Sequence, residues 1–589
     1  MAAGLIAGIV SGLLGMSADA PGLFNVSLDG VSLVWHLLAA IPLGGLCGTL
    51  FGYQPRGYAA SISGGLLFGL MLWIIGPLTL AALTDDAGPS WSASDAFQKF
   101  PSVFVHMVYG GLTGLLTFVS AAFYVRTRPI SEEPASQTDV TRVVIVGGGF
   151  GGIAVATRLE RIFWRDPNFE VAMISQSNYL LFTPMLAEVA GSALEPQHIS
   201  APVRAALPRT RFIRADVLDI HTDTQTLHYC ASDSDVVESL DYSHLVLALG
   251  SVPNFFGLPG MEEHSISLKS LEDATNLRNH VITQLEMADV NPDPESRHRQ
   301  LTFVVAGGGF AGTETIAEIS DLVTSVLRYY PNIERSDLQF VLVHSRDRIL
   351  PELGPDLANY ARDKLEARGI EFVLEARVSG ATEDGVQLAD GREIPSHTIV
   401  WTAGNQPNPL LQRLESEKSR SGAVAVESSL NVKGFSNVWA VGDCAQIPVP
   451  DAEGEFYPPT AQHAIREGKL AARNIAATIR GKPTKPFRFQ TLGTLVPLGH
   501  HTGAAEIRGL KFSGLLAWLM WRGIYLTLLP GLEKKVRVLF DWTIDLFFPR
   551  DTVLTSGGRQ TPLPAIPPRP VVAPSGGANS DESPEEDAS

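Results

Sequence analysis

Two glycine turns of identical spacing, 160 positions apart, set the frame into which the rest of this chain must fold. TRVVIVGGGFGGIAVATRLERI, from Thr141, is a β-branched run, a glycine turn and a helix of apolar period, the order that a Rossmann unit requires. Gly147 permits the tight turn, Gly149 lets the backbone approach a pyrophosphate, and Gly152 lets the helix close on the strand. Phe150 and Gly151 complete the first helical turn, whose N–H groups face the phosphates. LTFVVAGGGFAGTETIAEISDL, from Leu301, repeats the pattern with Gly307, Gly309, Phe310 and Gly312. Two such turns in one chain imply two bound dinucleotides.

The rest of the chain divides around these turns. At 589 residues it exceeds what one core can organise, and about three or four units are expected. Mean hydropathy is +0.12 with 18% charged residues, and the apolar excess is concentrated at the N-terminus. There Asp19, Asp29, Arg56, Asp85, Asp86, Asp95 and Lys99 are the only formal charges before residue 126. Uncharged runs at 31–54, 57–84 and 100–125 each suffice to span a bilayer, for which about 20 residues are needed, and 1–18 is a marginal fourth. That first run lacks the basic start of a signal peptide, so four spans are expected. Ala7, Gly8 and Gly12 align with Gly64, Gly65 and Gly69, and His36 with Gly44 aligns with His106 and Gly114, which reads as a duplicated two-helix unit. Arg56, Arg126 and Arg128 lie on one side of the spans and the aspartates on the other, Lys99 excepted. The catalytic part is therefore expected on the cytoplasmic side of the cell (inner) membrane.

The predicted fold class is α/β, with two Rossmann-like dinucleotide-binding domains of the two-dinucleotide flavoprotein type. An α-helical transmembrane bundle precedes them and amphipathic membrane-binding helices follow. The expected boundaries are 1–126 for the transmembrane region, 127–140 for a linker, 141–265 and 398–483 for the two parts of an FAD domain, and 266–397 for an NAD(H) domain. A membrane-interface region follows at 484–550, and a disordered tail at 551–589.

A net charge of −17 excludes nucleic acid as a partner, since phosphate backbones require clustered Lys and Arg. Cys47, Cys230 and Cys444 have neither CxxC nor metal spacing, so no disulfide framework and no metal site is expected. The missing CxxC also excludes disulfide reductases.

Other segments match the two-dinucleotide plan. LVLALGSVPN, with Ala248 and Gly250, and TIVWTAGNQPN, with Ala403 and Gly404, each end a strand in a small-residue turn. They resemble the crossovers between FAD and NAD domains. NVWAVGDCAQIP carries Gly442 and Asp443, which resemble the second FAD motif of such flavoproteins. More specific are SNYLLFTPMLAEVAGSALEPQHI, ALGSVPNFFGLPGMEEHSISLKSLEDATNLRNHV, ILPELGPDLANYARDKLEARGI and PPTAQHAIREGKLAARNI. Through them residues 142–550 resemble the type II, non-proton-pumping NADH:quinone oxidoreductases.

That resemblance implies hydride transfer from NADH to FAD and two-electron delivery to a membrane quinone, ubiquinone or menaquinone, without proton pumping. It implies that Val217 joins the FAD contacts and that Ala461 and Gln462 lie against the flavin and line the quinone pocket. Arg466 departs from the glutamine usual there. It implies an interfacial C-terminus, in which Trp518, Trp521, Trp542, Phe512, Phe547 and Phe548 would supply the membrane-buried face and Arg522 would meet headgroups. A homodimer is left open. The acids that usually take ribose hydroxyls are replaced by Ser175 in the FAD half and His344, beside Arg346, in the nicotinamide half. Serine can still hydrogen-bond a hydroxyl, whereas the second change keeps NADPH in view. Glu314 is the carboxylate expected to position the nicotinamide and couple to protonation, with Glu318 a packing or capping group. His463 and His501 are relay candidates, and His36 and His106 are intramembrane suspects. The competing readings are a NADPH- or sulfide-dependent quinone reductase of the same fold and, from another class, a redox-responsive membrane scaffold or transporter subunit.

Overall fold

The computed structural model describes residues 2–17, 30–51, 58–80, 97, 100–126 and 140–554, save 233, 453 and 492. The loop charges behind the orientation argument, most of the linker and everything past 554 lie outside the described residues.

Where small residues recur every fourth position on facing apolar helices, backbones can touch. Helices α1 (Ala2–Ser17) and α2 (Gly30–Phe51) touch in this way, as do α3 (Tyr58–Ile75) and α4 (Pro101–Arg126). A Cβ on Gly4 would lie 2.6 Å from Gly44 Cα, and one on Gly8 would lie 2.5 Å from Ala40 Cβ. In the second pair a Cβ on Gly65 would strike the Gly110 carbonyl, and one on Gly114 the Ser61 carbonyl. Gly4–Gly44 and Gly8–Ala40 thus recur as Ser61–Gly114 and Gly65–Gly110, at the offsets of 57 and 70 residues that align the two halves. By length and composition, one helix among the described residues, Pro101–Ser120, is long and apolar enough to cross a membrane. His36–Cys47, Ser61–Ile75 and Gly514–Leu528 are shorter apolar helices.

In the catalytic part, β-branched strands covered on both faces build two sheets, the first parallel except for its last two pairings, which are antiparallel. The first runs Val438–Ala440, His244–Leu247, Thr141–Val146, Phe169–Ser175, Arg211–His221, Thr226–Ala231, Val237–Asp241, with Val143 to Val146 all buried. From its glycine turn α5 (Phe150–Ile162) departs, and the short α6 (Leu186–Ala190) lies on the segment beyond the second strand. The second sheet runs Ile266–Ser267, Thr398–Trp401, Thr302–Ala306, Gln339–Val343, Ile370–Val373 and is parallel throughout. Helix α7 (Leu271–Val290) starts at a reciprocal cap between Ser270 and Asp273, and α8 (Phe310–Val326) springs from the second glycine turn. The expected domain boundaries shift here. Thr398–Trp401 pairs with Thr302–Ala306, so it closes the nicotinamide sheet instead of opening the second FAD segment. The crossing point is the antiparallel pair Ser251–Pro253 and Asn405–Pro407, and Met261 already belongs to the nicotinamide-domain core.

Helix α9 (Ala461–Ile479) returns to the FAD side, where a Cβ on Gly468 would lie 2.5 Å from the Gly151 carbonyl. An antiparallel sheet follows (Gly493–Pro497, Gly503–Ile507, Leu510–Ser513), then the hairpin of α10 (Gly514–Leu528) and α11 (Leu532–Asp545). Ala517, Trp521, Val538 and Trp542 join the same core as Met185, Val189 and Ile316. This corrects the expected membrane face. The three tryptophans are buried in the protein, and the exposed apolar side is Leu515, Leu516, Leu519, Leu539, Phe540 and Ile544, with Phe547 and Phe548 as expected. The tail is corrected too. Asp551 to Leu554 continue in contact, with the Asp551 carbonyl accepting from Ser192 and Arg278 and the Val553 carbonyl from Arg278.

Candidate functional site

Each glycine turn has the shape its sequence requires. Gly147 and Gly307 hold φ of +110° and +122°, and a Cβ on Gly152 or Gly312 would strike the carbonyl of its own turn's first glycine. A Cβ on Gly149 would meet nothing within 4 Å, and one on Gly309 only Glu352 Oε1 at 3.7 Å. Neither α5 nor α8 has a side chain capping its N-terminal N–H groups. Each turn is therefore an open backbone cradle at a helix N-terminus, which fits a pyrophosphate.

The FAD-side residues converge on the first cradle. A Cβ on Gly148 would lie 2.9 Å from Ser175 Oγ, and the Ala248 carbonyl backs Gly147. Gly250 (φ +65°) opens on space, and Asp443 Oδ2 accepts from Ser251 Oγ at 2.7 Å, which in turn accepts from Lys269 Nζ at 2.9 Å. Gly442 donates its N–H to Glu467 Oε2 at 2.8 Å, tying this turn to α9. Burial pushes the Glu467 carboxyl up to about 7 against that bond, with Asp443 adding to the rise. At the start of α9, capped by Thr460, Ala461 and Gln462 are half-buried. Gln462 Nε2 donates to the Gly493 carbonyl at 3.3 Å, while its buried Oε1 has no partner. Arg466 lies over the Phe489 ring, 4.1 Å from its centre, and donates to the Gln462 carbonyl. Val217 sits at a strand irregularity and packs half-buried against the FAD-domain core.

In the nicotinamide half, His344 Nδ1 accepts from the Gly308 N–H at 3.0 Å. Its Nε2 must then carry the proton, and that atom is buried without a partner. Burial, then Arg346, lowers the His344 pKa, so the ring is neutral and offers a donor where an acid would accept. Ala403 and Gly404 lie in the crossover, where a Cβ on Gly404 would crowd Phe256 and Asn254.

Glu314 is partly accessible at the surface yet deep among protein atoms. Burial, followed by Glu188 and Glu318, pushes its carboxyl well above the usual range. The Glu188 carboxyl, on α6, is raised by burial to about 8, with Arg522 opposing and Glu318 adding. Its Oε1 accepts from Trp542 Nε1 at 3.1 Å. Glu318 is an ion-pair partner, its Oε2 lying 2.8 Å from Arg550, which also meets Asp545 at 3.2 Å. Arg522 faces neither headgroups nor solvent. It stacks on Trp518 and Trp542 and stands 3.9 Å from both Glu188 and Asp545. Sequence reasoning missed Glu188, Asp545 and Arg550, although Glu188 is the one acid in the apolar stretch 180–194. The ring contacts Phe150–Phe182 and Phe182–Tyr525 link the FAD turn, the α6 segment and the hairpin in sequence.

Of the histidines expected as relays, His463 stands apart from this cluster, whereas His501 reaches its edge through Trp518 and feels the charges of Arg522 and Asp545. His463 is bonded to Thr460, and His501 packs on Trp518. In the bundle His36 bonds the Gly8 carbonyl and His106 the Ser102 carbonyl. Cys444 is buried and its thiol pushed up to about 12, while Cys230 lies apart on the strand Thr226–Ala231, which leaves no reactive thiol pair among the described residues.

Comparisons with known proteins agree with this geometry. Residues 141–468 match the pyridine nucleotide-disulphide oxidoreductase family, and 492–551 match the NDH2 C-terminal domain. The chain is 32% identical to a probable NADH dehydrogenase of Dictyostelium discoideum, over 70% of this chain and 90% of that protein. It is 29% identical to a type II NADH:quinone oxidoreductase of Mycobacterium tuberculosis, over 73% and 93%. Among solved structures, NDH2 from Plasmodium falciparum in complex with NADH aligns with TM-score 0.65 at 18% identity, covering 70% of this chain and 99% of that one.

Proposed function

The chain belongs to the type II NADH:quinone oxidoreductases, and from that premise we propose that it oxidises NADH and reduces a membrane quinone, ubiquinone or menaquinone, through bound FAD. When bound, FAD supplies the acceptance of hydride from the nicotinamide and the delivery of two electrons to the quinone. The observation that carries the reading is the pair of open glycine cradles joined by one crossover, with the orphaned amide oxygen of Gln462 beside the first.

The residues divide the work. Gly147, Gly149, Phe150, Gly151 and Gly152 hold the FAD pyrophosphate on the N-terminus of α5, with Gly442 and Asp443 at the ribityl side and Ser175 and Val217 toward the adenosine. Gly307, Gly309, Phe310 and Gly312 hold the nicotinamide dinucleotide, and the His344 Nε2–H donates to its ribose. Ala461 and Gln462 line the quinone pocket, and Glu314 positions the nicotinamide and couples to protonation. The hairpin lies on the bilayer by its leucine and phenylalanine side, and the duplicated bundle crosses the membrane in four passes, leaving the catalytic part cytoplasmic. Glycine-lined helix contacts and the Pro101–Ser120 helix support the crossing. NADPH as the main reductant is disfavoured on family grounds, and sulfide by the buried Cys444. Partition of the full chain into lipid vesicles, with protease access to the catalytic part on one side only, tests the membrane reading. A chain that stays soluble contradicts it.

A further inference from the structure

We infer that Glu188 holds the proton that quinone reduction draws from outside, acting through Glu314 under the control of Arg522 of the membrane hairpin. This rests on the quinone-reductase reading above. NADH gives up two electrons and one proton, whereas a quinone taking two electrons needs two protons, so each turnover consumes one proton from solvent. Some buried group must hold it next to the site.

Counting charges picks out the group. Glu188, Glu314, Glu318 and Asp545 share one interior with two guanidiniums, Arg522 and Arg550. Glu318 and Asp545 are in direct contact with Arg550. Arg522 is shared between Glu188 and Asp545, at 3.9 Å from each, and Glu314 has no ion-pair partner among the described residues. Four carboxylates against two cations in one apolar interior cannot all stay ionised, so protons are held among them. The geometry favours Glu188. It is 4% exposed, its Oε1 is occupied by Trp542, and its Oε2 is buried with no partner, which is where the proton sits. Arg522 approaches Glu188 only through Nη2, 3.9 Å from Oε1, and its Nε is buried without a hydrogen-bond partner, so this ion pair is loose enough to change with the protonation state. His501, packed on Trp518 and sensing Arg522 and Asp545, has its pKa lowered chiefly by burial, so it stays neutral as the quinone step falls, and the other charges nearby are committed elsewhere. Asp321 pairs with Arg368, and Arg278 of α7 bonds Ser192 and the carbonyls of Asp551 and Val553. Tyr525 of α10 stays neutral because burial raises its pKa. On donating its proton, Glu188 becomes a carboxylate balanced by Arg522 and is reprotonated from solvent.

The test measures NADH bleaching of the flavin and its reoxidation by a quinone analogue separately, across about pH 6 to 10. In the unaltered protein the quinone step should fall as pH rises through about 8, because the acid must be protonated to donate. Glu188→Gln should slow that step on the order of 10²-fold and remove its pH dependence while NADH still bleaches the flavin. Trp542→Phe removes a bond to the carboxylate form and should move the falling limb to higher pH, giving a second readout if the first variant fails to fold. An unchanged limb in Glu188→Gln, equal slowing of both half-reactions, or an unmoved limb in Trp542→Phe would overturn the inference. Failure of NADH to bleach the unaltered protein would instead overturn the function it rests on.

Discussion

The chain has two apolar regions, and they are held together by opposite means. The N-terminal bundle joins through glycine backbones, and its buried histidines bond carbonyls of its own helices. The C-terminal hairpin is fixed to the catalytic part by charge, with Arg522 and Arg550 reaching Glu188, Glu318 and the Gly191 carbonyl. Apolar composition alone does not separate these cases. What separates them is where the buried polar groups find partners. The bundle's buried histidines find their partners inside the bundle, whereas the hairpin shares its charges with the site.

The largest expected effect sharpens this contrast. Arg550→Ala leaves Glu318 and Asp545 buried without their cation and should destabilise the catalytic part by about 3–5 kcal/mol, read from denaturant unfolding. Gly65→Leu should push α3 away from α4 yet leave flavin content and the unfolding midpoint of the catalytic part unchanged. If the two variants destabilised the catalytic part equally, the comparison would fail. Next in size, Leu519→Glu with Phe540→Glu, both on the exposed hairpin face, should weaken vesicle binding by about 2 kcal/mol or more with the NADH half-reaction intact. A smaller effect concerns Glu467. Its folded pKa is raised above the unfolded value, so the folded state holds the extra proton and stability falls as pH rises from the ordinary carboxylate range to about 7. Glu467→Gln should flatten that slope in thermal unfolding curves. The smallest change is His344→Asp, which replaces a donor by an acceptor and should lower any activity with NADPH more than that with NADH.

The parts of this architecture legible in the sequence are those set by local backbone geometry. Gly147, Gly152, Gly307 and Gly312 announce themselves because no other residue fits a carbonyl at such range. The bundle's duplication was legible for the same reason, small residues at matched offsets. Long-range pairing was less so. Thr398–Trp401 looks like any strand before a glycine turn, and only its parallel partner assigns it to the nicotinamide sheet. The hairpin's aromatic residues read as a lipid face because amphipathic period gives the face but not what covers it. Trp518 and Trp542 turn inward to meet Arg522 and Glu188, and Trp521 packs between Tyr525 and Trp542. The carboxylate cluster as a whole was illegible because, apart from Glu314 and Glu318 at helical spacing, its members at 188, 522, 545 and 550 are linked by no spacing rule.

Electron transfer from a nicotinamide through flavin to quinone is tested most directly by anaerobic mixing of the purified yellow protein with NADH, followed optically, and then with a soluble quinone analogue. The account predicts rapid bleaching by NADH and recovery of the oxidised spectrum on adding quinone. A flavin that NADH leaves oxidised, or that stays bleached when quinone is added, would contradict it.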